Sequence, residues 1–221
     1  MYNLSVEKAK EIVRKNLDEI GLNESIMASL NDSDSENLDA IITRTLSEAI
    51  NTVHRNADVS LLDGVLLEGT EIEDVSINDA VLSFSTKKEI LRLVAFKASD
   101  SEYVISGLVS ESSAVGRMQH NPYTRGTYDN PRLVMLQGRK DGKQTFNYYS
   151  LRLNYKDPKE AIERFEYIPI YRSNETSYNV ATNFVEQVND CLTGMVLAIY
   201  GQSEKASYFM SKAGLANTTG A

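Results

Sequence analysis

The chain has 221 residues, 42% of them hydrophobic and 24% charged, which excludes intrinsic disorder and suffices for one sizeable core or two small ones. A formal net charge of −8 argues against tight, non-specific binding of nucleic acid, and a single cysteine, Cys191, excludes an internal disulfide. The longest apolar run, Leu192 to Tyr200, is too short to span a bilayer, and no leader segment precedes the first charged helix, so a protein made and used in a cytosol is expected.

The first helix is expected over about 5–21. Ser5 suits its cap, Val6, Ala9, Ile12, Val13, Leu17 and Ile20 share one face, and Gly21 suits its stop. A second helix is expected over about 36–55, opened by the capping-box pair Ser33 and Glu36. Leu38, Ile41, Ile42, Leu46, Ala49, Ile50 and Val53 form its apolar stripe. His54 and Arg55 fall in its last turn, where positive charge suits the helix dipole.

From about 63 to 171 the period shortens to that of strands. Apolar runs around Val65, Val81 and Ile90 are separated by turn residues such as Asn78-Asp79. Residues 63–79 hold six acids and no base, which reads as a solvated acidic loop. Residues 107–131 read as an irregular excursion dense in turn formers and aromatics, and a long loop of this kind tends to carry function. Tyr123, Arg125 and Tyr128 within it are residue types that anchor protein interfaces. Asp141-Gly142 between two β-rich runs signals a hairpin. Pro169 marks the run Arg164 to Tyr171 as an edge strand. The aromatic runs at Phe146 and Phe165 read as a half-buried sheet face in preference to base-stacking platforms.

A long C-terminal helix is expected over about 178–200, with Val180, Ala181, Phe184, Val188, Leu192 and Ile199 on its stripe and Cys191 buried within it. Gly201 ends it, and Ser203 caps a short helix from Glu204 to Ala213. The expected fold class is therefore α+β. An N-terminal helix pair and the long C-terminal helix form a helical bundle, with an antiparallel β region inserted. Residues 1–202 make a single domain, and residues 203–221 a terminal helix and tail.

Charge is unevenly spread: residues 1–110 carry a net −10, residues 111–172 a net +4, and residues 173–221 a net −2. Such segregation suits a subunit whose basic side docks on the acidic side of an identical neighbour. No constellation for catalysis assembles. The P-loop, HExxH, Gly-x-Ser-x-Gly and dinucleotide patterns are missing, and two histidines with one cysteine make a poor zinc set. The expectation is a non-enzyme with neither metal nor cofactor. A small cytosolic enzyme with a scattered site is the competing reading, and it calls for a deep polar pocket around His120 and Arg125.

Three stretches carry a resemblance. Leu38 to Ile50, ending near Ala57 to Leu62, looks like the second helix and following turn of the adaptor ring proteins of tailed phages. Asn130 to Met135 looks like the start of their β hairpin, and Tyr200 to Met210 like their C-terminal turn and last helix. The order of elements resembles the short-tailed phage type, with crAss-like phages as a narrower possibility. The resemblance implies a virion protein at the head-to-tail interface, made in the host cytoplasm. It implies a ring, usually of twelve copies, bound beneath the portal protein, which extends the DNA channel without sequence-specific contact and offers a platform to the next ring or tail protein. It also implies a portal-binding arm in residues 203–221, anchored by Tyr208, Phe209, Met210 and Leu215, whose removal would leave the rest folded. Glu68, Glu71, Glu73 and Asp74 are candidates for an acidic channel wall that repels phosphates. Another head- or tail-completion subunit is the alternative.

Overall fold

The structure is a computed structural model, and it describes all residues except 20, 22–34, 100, 138–140, 151–157 and 216–221. The chain divides into two compact units, one formed by residues 1–62 and 171–221, the other by residues 63–170.

In the first unit, strand β1 (Tyr2–Ser5) runs directly into helix α1 (Val6–Glu19). The Ser5 hydroxyl accepts the amide of Lys8 at 3.2 Å, so the cap is made by the residue type that does it best. Val6, Ala9, Val13 and Leu17 are buried on one face. Helix α2 (Ser35–Asn56) buries Leu38, Ile42, Leu46, Ala49 and Ile50. Its cap partner Ser33 lies outside the described residues. Strand β10 (Ser177–Val180) pairs antiparallel with β1, and α4 (Val185–Ile199) packs on both α1 and α2. Asn51 of α2 clasps the backbone of Tyr171: its amide donates to Tyr171 O at 2.9 Å and its carbonyl accepts from Tyr171 N at 3.0 Å.

The second unit is built of strands. A five-stranded sheet runs in the order β3 (Ile72–Asn78), β4 (Val81–Thr86), β8 (Gln144–Tyr149), β7 (Arg132–Met135), β6 (Val109–Ser110). A three-stranded sheet runs in the order β2 (Val65–Leu66), β9 (Ile162–Pro169), β5 (Ile90–Ala98). The two sheets share an aromatic centre. Phe84 of β4 stacks on Phe96 of β5 and Phe146 of β8, at 5.9 and 5.3 Å between ring centroids, and Phe165 of β9 meets Phe84 edge-on at 5.9 Å. Leu82, Leu93, Leu133 and Tyr148 close the same cluster. The aromatic runs are therefore core.

The α+β class holds, but the expected helical bundle with a β insert is corrected. The described residues form ten strands in three sheets and five α-helices, a β-rich fold whose sheets own a separate core. A segment that buries this much aromatic surface by itself is no decoration on helices. Nor is the β region wholly antiparallel, since β6 pairs parallel with β7. The expected helix over 178–200 starts only at Val185, because Ser177–Val180 alternates exposed and buried side chains, with Tyr178 and Val180 inward, and completes the sheet with β1. Pro169 does not mark an edge strand. β9 lies between β2 and β5, and Pro169 is its last residue, beyond the reach of β2, where a missing amide costs nothing.

His54 is corrected as well. It is fully buried, and burial lowers its pKa from 6.5 to about 4, so it is neutral at pH 7 and contributes nothing to the helix dipole. Its Nε2 accepts the amide of Ala181 at 3.3 Å, which places the proton on Nδ1, and the ring packs on Tyr171 at 5.8 Å.

Candidate functional site

The excursion between β6 and β7 is irregular in sequence and highly ordered in structure. Ser113 caps the five-residue helix α3 (Ala114–Met118), accepting the amide of Gly116 at 3.0 Å. Gly116 is buried so tightly that an added Cβ would sit 2.1 Å from Ser110 O. Gln119 is the pin. Its Nε2 donates to Val115 O at 2.8 Å, and its Oε1 accepts the amide of Gly126 at 2.7 Å. Gly126 is itself enclosed, with room for no Cβ beside Tyr149 O and Arg132 N.

Between these two anchors the chain makes a tip. The Asn121 side chain accepts the amide of Tyr123 at 3.0 Å, and the Thr124 hydroxyl donates to Met118 O at 2.8 Å. Thr127 and Asn130 exchange backbone hydrogen bonds that close the loop. These turns are thus held by side-chain and backbone partners within the segment itself, between β6 and β7.

What this scaffold presents is Tyr123, 96% exposed, with Val115 and Met118 exposed on one face of α3. The other two expected anchors differ. Arg125 is half-buried, with its Nε enclosed and making no hydrogen bond among the described residues. Tyr128 packs edge-on against Tyr103 at 6.3 Å and supports the loop. Val115 and Met118 were not singled out from sequence. Their i, i+3 spacing could have marked them, but a five-residue helix has too few repeats to show a period.

The C-terminal helix α5 (Ser203–Lys212) packs along α4. Phe209 and Leu215 are only 4% and 3% exposed, Met210 is half-buried, and Tyr208 is 61% exposed. Helix contact is close because Gly194 has no side chain: an added Cβ would lie 3.0 Å from Met210 Cγ and 3.1 Å from Ala206 O. Residues 203–215 are thus part of the first unit's core, and the expectation that 203–221 can be removed without harm to the fold is corrected. Of the four anchors in this segment, Tyr208 is the one that faces out. Lys212 reaches back to Asp190 at 3.0 Å, and this hydrogen-bonded charge raises the lysine pKa.

The acidic stretch is corrected from a loop to a helical turn and an edge strand, β3. Three of its six carboxylates pair with lysines. Glu71 meets Lys88 at 3.1 Å, Glu73 meets Lys143 at 2.8 Å and Lys87 at 2.9 Å, and Asp74 meets Lys143 at 3.1 Å. The lysines hold the Glu73 carboxyl below its usual pKa, with Lys143 contributing most. Glu68 is exposed and donates its backbone amide to Glu71 at 3.3 Å. Three lysines thus offset half of the six acids of residues 63–79.

Among the described residues, grooves of the first unit include the following three. One, of 430 Å³, runs beside Lys10, Asp39, Thr43 and Arg44, with Arg14 bonded to Asp39 at 2.7 Å. A second, of 270 Å³, lies by Asn56, Gln187 and Gly214. The third, of 360 Å³, opens between α4 and α5 and is mostly apolar. His120 and Arg125 line none of the three. His120 is exposed and stands 3.8 Å from Glu111. Among the described residues no group of three or more His, Cys, Asp or Glu side chains is placed to hold a metal ion, and no helix is long and apolar enough to cross a membrane.

Fold and surface together define a two-unit α+β protein that displays an aromatic residue on a braced loop. Comparison with protein-family models, with curated proteins and with solved structures gives no match for this chain.

Proposed function

We propose that this chain is a structural virion protein that works by binding other proteins, as a head-to-tail connector adaptor. The observation that carries the protein-binding part is Tyr123, left almost wholly exposed at the tip of a loop braced by Asn121 and Gln119. A free protein gains nothing in stability from an exposed tyrosine, whereas a prearranged aromatic is what an interface uses as an anchor. The connector part is supported by the sequence resemblance of Leu38–Leu62, Asn130–Met135 and Tyr200–Met210.

In this reading the chain forms a ring beneath the portal protein, at the head-to-tail interface of the virion, after synthesis in the host cytoplasm. The ring extends the DNA channel and offers its far side to the next ring or tail protein. The outward face of α5, with Tyr208, is the part of the C-terminal segment open to the portal. The test is co-production with the portal protein of the same genome, followed by measurement of the mass of the complex. A discrete assembly with one copy per portal subunit is expected, and Tyr208→Ala should weaken it. A well-folded chain that ignores its portal would sink the adaptor reading, and a defined complex with another virion protein would point to a different completion role.

A further inference from the structure

We draw no further inference here: the strongest candidate, the mostly apolar groove between α4 and α5 of the first unit, carries none because nothing in the structure shows what covers it.

Discussion

Gln119 Oε1 accepts the backbone amide of Gly126 at 2.7 Å, across seven residues of chain that contain the tip of the excursion. The same side chain ties back to Val115 O, so one buried glutamine joins the start of the tip to its end. Tyr123 stands where it does because this pin fixes both sides of the turn.

Replacing Gln119 by Leu should therefore cost more than its size change suggests. The Gly126 amide loses its partner in a buried place, which costs about 1–3 kcal/mol when unsatisfied, and the tie to the half-exposed Val115 carbonyl goes with it. Denaturant unfolding should show a loss of roughly 2 kcal/mol or more, and amide exchange at Gly126 should accelerate. An unchanged midpoint would mean that the loop is braced by something else. Gly116→Ala should be worse still, since its Cβ has no space beside Ser110 O.

His54 makes stability depend on pH in a defined window. Its folded pKa of about 4 lies below the ordinary 6.5. Above pH 6.5 neither state binds the proton. As pH falls from 6.5 towards 4 the unfolded state takes it up first, so stability is lost across that interval, by about 3 kcal/mol in total. His54→Gln keeps an acceptor for the Ala181 amide and has no proton to gain. The stability gap between wild type and variant should shift by about that amount between pH 7 and pH 4, and parallel curves would refute the assignment.

The two-residue turn between β3 and β4 uses the wrong residue for its backbone. Asp79 and Ala80 both have positive φ, 50° and 59°, between the paired residues Asn78 and Val81. This is the conformation that Asn-Gly adopts with ease and alanine adopts with strain. Ala80→Gly should raise stability by about 1 kcal/mol, read as a higher midpoint in thermal unfolding. A lower midpoint would show that the turn is not held in this conformation.

Cys191 should be chemically silent. It is fully buried, and burial pushes its thiol up to about 12, so almost no thiolate forms at neutral pH. A thiol reagent should label the native chain slowly and the denatured chain at once. Fast labelling of the native chain would place Cys191 in a segment that opens readily.

Much of the local structure was legible because local rules govern it. Ser5 caps α1 as its side chain allows, the α2 stripe is buried as its period demands, and Asp141-Gly142 joins β7 to β8 with both residues at positive φ. The excursion stood out by its turn formers and aromatics, but Tyr123, Arg125 and Tyr128 looked alike in sequence, and only the structure leaves Tyr123 exposed while Tyr128 packs on Tyr103. His54 misled because its position in the last turn signals charge, while its burial, decided by β10 and Tyr171 from far along the chain, removes that charge. Pro169 misled in the same way, since the partner strands of β9 come from residues 65–66 and 90–98.

The sequence by itself determined an acidic, single-cysteine α+β chain with a helical start and end, a strand-rich middle and an aromatic loop. Only the tertiary structure decided that the middle is a unit with its own phenylalanine core, that 203–215 is packed and not free, and that Glu71, Glu73 and Asp74 of the acidic stretch are paired with Lys87, Lys88 and Lys143. The reason is one of range. Caps, turns and periods act within a few residues, whereas burial, ion pairing and strand order are set by groups distant in sequence, whose meeting no local pattern encodes.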